Sequence, residues 1–431
     1  MLLAFLSLVS LSSSAPSQET VVALIGGRII PAGGAAVILR GTILMSGGKI
    51  TAVGANVAIP AGARRIAVDG KVIIPGLIDA RSNLFLSPDE TAAGAADRDV
   101  LDATDLFDDD ALDALRRGVT TVYITPGSRG DIAGVGAVVK LGSGPASSGI
   151  VGTPVRTQAA LKLNLGVSIG NRTSSLERVS SYDAIRSAFR SAEQYARSFE
   201  RYERDIKTFE SQPRLAANVG APPSTTQQPS DPTTQRPTTQ RPTRPRRVPA
   251  QEILLKALRR EIPVRAEAHR ADDILNALQL SEEFKLNMIL EGAEEAPLVA
   301  KEIARHRIPV IWGPTLLESG TELDSRRQTP AGAAKLARAG IRFILTPAGD
   351  SGRATRFVLE NAAAAAGHGL SREKALSAIT MDAAQILGVG DRLGSISVGK
   401  DADLVVLSGS PFDPAARVEQ VYVNGERVHA R

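Results

Sequence analysis

Residues 74–86 read Ile74-Pro75-Gly76-Leu77-Ile78-Asp79-Ala80-Arg81-Ser82-Asn83-Leu84-Phe85-Leu86. An apolar run follows a Pro-Gly break, meets a carboxylate at Asp79, and then carries two polar residues two positions apart. Side chains of a strand alternate between faces, so Arg81 and Asn83 share a side. Such polar residues at a strand end mark a pocket edge, and the rest of the chain tells what kind.

Before this stretch, residues 20–73 are short apolar runs broken by glycines, such as VVALIGGRII and AAVILRGTILMSGGKITAVG. Ser46-Gly47-Gly48-Lys49 is a hairpin signal between two of them. After it the pattern changes. ALDALRRG leads into VTTVYITPG, ADDILNALQLSEEF into KLNMILEG, APLVAKEIARHR into IPVIWGP, and AGAAKLARAG into IRFILTPAG. Repeated helix–glycine–strand units predict a parallel α/β fold, and their number suits a closed TIM-type (β/α) barrel. The C-terminus returns to β with LVVL and VEQVYV, and Asn424-Gly425 forms a tight turn. A small β-sandwich domain built from both chain ends, residues 20–73 and 391–431, is therefore expected to flank a barrel over 74–390.

Composition sets further bounds. The 431 residues are 43% hydrophobic and 23% charged, enough for a sizeable core. Cysteine is absent, which removes disulfides, thiolate metal sites and a cysteine nucleophile. The net charge of +5 is mild, and no nucleic-acid reading motif accompanies it, so a nucleic-acid partner is not expected. Residues 1–19, apolar and then rich in serine and alanine, read as an export signal or as an apolar first strand. Export to a periplasmic or extracellular location is the expectation, and no later run is long enough for a stable membrane span.

Two segments interrupt the barrel pattern. In residues 182–209, Ile185, Phe189, Ala192, Ala196, Phe199 and Ile206 fall at helical spacing and predict a long amphipathic helix packed on the barrel. Residues 211–249 are rich in Pro, Thr, Gln and Arg and contain the doubled unit TTQRPTTQRP. They predict a disordered insertion whose arginines, Arg236, Arg241, Arg244, Arg246 and Arg247, could touch an anionic surface. The alternative is a solvated loop with no partner.

KVIIPGLIDA, GVTTVYITPGSRGDIAGVGAVVKL, VRAEAHRADDILNAL, NMILEGAEEA, SREKALSAITMDAAQILGV and GSISVGKDADLVVL occur in that order, and together they resemble the imidazolonepropionase-like branch of the amidohydrolase superfamily. The resemblance implies metal-dependent hydrolysis of carbon–nitrogen bonds other than peptide bonds, using zinc or another divalent ion. It further implies ligands at the C-terminal ends of barrel strands: a His-x-His, often a carboxylated lysine, two more histidines and an aspartate. The metal in such sites makes hydroxide available near neutral pH and polarises the scissile carbonyl.

Here those positions depart. The His-x-His aligns with Arg81 and Asn83; an arginine has no lone pair to offer. Glu267 stands at the first histidine of VRAEAHR with His269 two residues on, Gly292 stands at another, and Ala348 at the aspartate. Asp350 could substitute only if the strand end is shifted. Lys140 is retained where a carboxylated lysine could stand. Of four histidines only His269 is placed for a site; His306, His368 and His429 are not.

No metal is therefore expected. The expected function is that of a metal-free pseudoenzyme, a scaffold or a binder of a small molecule in the barrel mouth. The alternative is an active hydrolase of a cyclic amide or related bond through Lys140, His269 and Asp350. A buried Arg81 requires a carboxylate, with Glu267 and Asp350 as candidates, unless it reaches solvent at the mouth. The Asp-rich run from Asp97 to Asp113 lacks the glycine of a calcium loop and predicts a solvated helix-and-cap face. The family resemblance also permits a homo-oligomer.

Overall fold

The computed structural model describes residues 20–86, 95–105, 107–128, 130–142, 152–166, 175–211, 241–315, 327–347 and 352–431. The expected export signal and most of the Pro-rich insertion lie outside these residues, as do Ala348 and Asp350.

One sheet gathers the two chain ends. It contains β1 (Val22–Ile29), β2 (Ile38–Ser46), β3 (Lys49–Gly54), β4 (Arg64–Ala67) and β5 (Val72–Pro75), all from the N-terminal part. The last strands, β14 (Leu404–Leu407), β15 (Val418–Val423) and β16 (Glu426–Ala430), complete it. The order is β16-β15-β14-β5-β1-β2-β3, with β4 also on β1. The joint between the two chain ends is the antiparallel β5–β14 pair, Leu404 opposite Pro75.

The second sheet is the barrel. Its strands are β6 (Leu77–Ser82), β7 (Val119–Ile124), β8 (Ile132–Leu141), β9 (Gly152–Asn164), β10 (Val264–Ala268), β11 (Met288–Gly292), β12 (Val310–Trp312) and β13 (Phe343–Leu345), paired in sequence order. The seam between β13 and β6 carries no ladder. It is bridged by the Thr346 hydroxyl donating to Asp79 at 2.8 Å, so the barrel is nearly closed. Helices α1 (Asp109–Arg116), α2 (Ser175–Ser211), α3 (Pro249–Leu258), α4 (Ala271–Phe284), α5 (Ala300–His306), α6 (Gly332–Arg338), α7 (Val358–Gly367), α8 (Arg372–Ala378) and α9 (Met381–Ile386), with short 3-10 turns at Val100–Ala103, Ala296–Leu298 and Gly352–Phe357, complete the described elements.

Two apolar layers hold this arrangement. Outward residues such as Leu161, Leu163, Val264, Leu290 and Val310 pack against the helices, together with Ile253, Ile274 and Leu278. Inward residues Ile78, Ala80, Tyr123, Val138, Ala160, Ile289, Ile311 and Ile344 fill the lower barrel, and Ala383, Ala384 and Ile386 of α9 join them. Strand alternation explains why neighbouring residues divide between the two layers.

One strand departs from the repeating parallel pattern. β8 pairs antiparallel with both β7 and β9, whereas every other pair in the barrel is parallel. A hairpin over Asp131 replaces the helix expected after VTTVYITPG. Its consequence is directional: a residue near the end of β8 faces the bottom of the barrel, not the mouth.

The predicted long helix is α2, 37 residues and therefore about 55 Å long. Ile185, Phe189 and Ala192 are buried, while Ala196, Phe199 and Ile206 are half-buried. The Asp-rich run does serve as caps: Asp99 accepts from the Leu101 N–H and Asp108 from the Asp110 N–H, each opening a helix. Trp312 is fully buried core, and the Tyr182 hydroxyl donates to buried Asp273 at 2.8 Å.

Candidate functional site: a saturated carboxylate pair in the barrel mouth

Parallel β9, β10 and β11 bring three inward positions level near the mouth. Their register puts Asn164 beside Glu267 and Glu267 beside Glu291. One layer lower, Lys162 lies beside Arg265. Across the barrel, the irregular end of β6 turns Arg81 inward toward the same two glutamates. All of these side chains are buried.

Glu267 is fully engaged. Its Oε1 accepts from Arg81 Nη2 at 2.7 Å and is paired with His269 Nε2 at 3.1 Å. Its Oε2 meets Lys162 Nζ at 2.6 Å and accepts from the Ser128 hydroxyl at 2.8 Å. Glu291 is equally occupied. Its Oε1 lies 3.2 Å from Arg81 Nε, 3.3 Å from Lys162 Nζ and 3.4 Å from the Thr125 hydroxyl. Its Oε2 accepts from Arg265 Nε at 2.7 Å and lies 2.6 Å from Arg265 Nη2. The Arg265 guanidinium also donates to the Ala80 carbonyl at 2.8 Å and stacks 3.7 Å above the Tyr123 ring.

Electrostatics follow from this geometry. Burial pushes the Glu267 carboxyl up, but Lys162 and then Arg81 outweigh it and hold it well below the usual range. For Glu291 burial is likewise overcome, by Arg265, Lys162 and Arg81, and the carboxyl is held low. His269 is half-buried, at 18% exposure, and its partial burial would lower it. Glu294 on Nδ1 and Glu267 on Nε2 reverse that and raise it well above an ordinary histidine. Its ring is clamped between two carboxylates, which favour the protonated form. Burial raises Asp79, opposed by hydrogen bonds from the Arg81 N–H and the hydroxyls of Thr355 and Thr346.

The metal implied by the fold family does not fit this donor set. A carboxylate offers about four lone-pair positions, and on both glutamates these are taken by cations and hydroxyls. Any ion reaching Glu267 would lie against Arg81 and Lys162, neither of which can ligate while charged. Carboxylation of Lys162 would set a new anion against Glu267 and Glu291. Gly292 completes the mismatch. With φ at +76°, a Cβ there would stand 2.7 Å from the His269 ring, so the imidazole fills the space a larger residue would need. Among the described residues no group of three or more His, Asp or Glu side chains is arranged to hold a metal ion.

The candidates from sequence divide as follows. Arg81, Glu267 and His269 converge, with Gly292 against the His269 ring. Asn83 lies at the same strand end and is half-buried. Lys140 does not join them and is corrected. On antiparallel β8 it points to the barrel bottom, where its Nζ lies 2.6 Å from Asp401 Oδ2, 3.0 Å from Asp403 Oδ2 and 2.7 Å from Asn424 Oδ1. Ala348 and Asp350 lie outside the described residues.

Lys162, Arg265, Glu291 and Glu294 were not singled out from the sequence. A signal existed: each of AALKLNL, PVRAEA and MILEG places a charged residue inside an otherwise apolar buried strand. Such a residue must find a counter-charge.

Comparisons with known proteins agree with the fold. The model of the amidohydrolase family matches residues 72–428. The amidohydrolase tasK of Hapsidospora irregularis is 26% identical over 418 residues, covering 89% of this chain but only 39% of that protein. The crystal structure of an amidohydrolase from Thermotoga maritima superimposes with a TM-score of 0.77 at 30% identity, over 95% of this chain and all of that one. A zinc-bound adenosine deaminase from Xanthomonas campestris shares the fold at 16% identity and a TM-score of 0.50, over 94% of this chain and 92% of that one. The chain belongs to the amidohydrolase family.

Proposed function

We propose that this protein has exchanged the family's metal for an arginine–lysine–carboxylate network. It is a metal-free pseudoenzyme whose barrel mouth binds a small molecule or serves as a scaffold. The observation that carries the reading is the saturation of Glu267 and Glu291 by Arg81, Lys162 and Arg265, together with Ser128, Thr125 and His269. A hydrolytic site needs an activated water and a group able to take its proton. His269 is held at both nitrogens by carboxylates that favour its protonated form, so it is a poor base. Lys140, invoked for an active alternative, faces the opposite end of the barrel. The zinc of the deaminase neighbour belongs to that protein's own ligand set.

The test is metal analysis of the purified full-length protein, followed by calorimetric titration with Zn²⁺. The expected result is no stoichiometric metal and no saturable zinc site lost on His269→Ala or Glu267→Gln. One or two equivalents of tightly held zinc, with amide hydrolysis abolished by chelation, would overturn the reading.

A further inference from the structure

The C-terminal half of α2 runs beyond the barrel-packed part of that helix, and the end of the Pro/Arg-rich segment lies along it. Two contacts fix their relation. The Val248 N–H donates to the Tyr195 hydroxyl at 3.3 Å, and the Arg241 guanidinium approaches Glu210 at 3.9 Å. Residues 241–248 therefore run antiparallel to α2.

The lengths require an extended chain. Tyr195 and Glu210 are about 22 Å apart along an α-helix. Seven residues of polyproline II helix also span about 22 Å. The sequence RPTRPRRVP favours a polyproline II course, because Pro242, Pro245 and Pro249 fix their own φ and restrict Arg241, Arg244 and Val248 before them to extended geometry. Val248, with φ −124° and ψ 108°, is in the β region, at the point where α3 begins. Pro242 and Pro245, three residues apart, are half-buried, while Arg241, Thr243, Arg244, Arg246, Arg247 and Val248 are exposed. On α2, Phe199, Tyr202, Ile206 and Phe209 supply a half-buried stripe over the same length.

With three residues per turn, Arg241, Arg244 and Arg247 share one face at a spacing of about 9 Å, and Arg246 flanks them. Among the described residues only Arg241 of these four has a carboxylate within ion-pair reach, that of Glu210. In that form the guanidinium groups make a ladder along the helical arm.

We propose that this ladder is a docking site for a linear phosphate polymer, the arginines binding successive phosphates along one line. The linear array favours this over a flat anionic lipid surface. A sheet of charge would press equally on the exposed acids Glu200, Glu203 and Glu210 of α2, whereas a thread can follow the arginine face alone. Guanidinium forks match phosphate oxygens in pairs. The site is independent of the barrel mouth.

The test titrates the full-length protein with fluorescently labelled long-chain inorganic polyphosphate across a range of salt concentrations. Parallel titrations use vesicles of phosphatidylglycerol and phosphatidylcholine. Counterion release predicts that Arg241→Gln/Arg244→Gln/Arg247→Gln weakens binding roughly a hundredfold near 0.1 M salt and lowers the log–log salt slope by about 2. Pro242→Gly/Pro245→Gly keeps the charges but loses the stiff spacing, and a severalfold weakening is expected. A control variant, Arg305→Gln/Arg307→Gln/Arg342→Gln, should bind as the parent does. Thermal melts check that every variant is folded. Equal loss in the control, no loss in the ladder triple, no loss in the proline variant, or a preference of the parent for the vesicles would each overturn the proposal.

Discussion

Two buried lysines on neighbouring strands have opposite fates. Lys140 and Lys162 are each almost wholly excluded from solvent, at 2% and 1% exposure, and each faces two carboxylates. Lys162 on β9 points to the mouth and neutralises Glu267 and Glu291. Lys140 on β8 points to the bottom and ties the barrel to Asp401 and Asp403, beside β14 of the flanking sheet. Asp401 is further held by Lys49 at 2.5 Å and Arg392 at 2.9 Å. Burial would raise that carboxyl, but Lys140, Lys49 and Arg392 bring it down to about 2. The difference arises from chain direction alone. Antiparallel neighbours reverse the end of the barrel that a C-terminal residue reaches.

If the mouth network is one unit, removing its shared anion should do the most damage. Glu291→Ala leaves Arg81, Lys162 and Arg265 around an empty centre, and a buried charge without its partner costs about 3–5 kcal/mol. Urea unfolding should show that loss; a loss below about 1 kcal/mol would mean that the cations find other partners. Lys140→Met breaks the lower cluster, where Asp401 retains two cations but Asp403 keeps none of comparable closeness. A loss near the low end of the same range, about 3 kcal/mol, is expected. It should come with earlier proteolysis at the barrel–sheet joint, which the mouth variant should not show.

Gly292→Ala sharpens the comparison from the glycine side. A Cβ at positive φ and 2.7 Å from the His269 ring should cost about 1–3 kcal/mol by thermal melt. A neutral result would show that the imidazole has room to move.

The smallest effect near neutral pH is the titration of His269. Its folded value is raised, so its contribution is complete below about pH 6.5 and is lost as pH rises through the folded value. His269→Gln should flatten that alkaline decline. At the acid end Glu267, Glu291 and Glu294 have lowered values, so their contribution is present above about pH 4 and fades as pH falls further. Stability measured against pH in parent and variant separates the two limbs.

Much of the architecture was legible because it follows from periodicity. The helix–glycine–strand units and the two β-rich ends are local patterns, and local patterns survive folding. The same periodicity predicts a parallel fold and does not show the antiparallel β8, and the family resemblance puts Lys140 at the mouth, whereas it faces the bottom. The direction of β8 depends on a hairpin over Asp131 and on its pairing with β7 and β9, all of it tertiary. Lys162 was overlooked because one lysine in an apolar strand carries no address until the register of β9, β10 and β11 is known.

The sequence by itself determined the family and the order of the elements, since both follow from residue identity along the chain. That Arg81 needs a carboxylate if it is buried also follows from its charge; that it is buried is a finding of the structure. Only the tertiary structure decided which one. Glu267 and Glu291 are 24 residues apart in sequence and Arg81 is far from both, and strand register makes them neighbours. Saturation of a carboxylate is a property of several strands meeting at one point, so it cannot be read from any one of them.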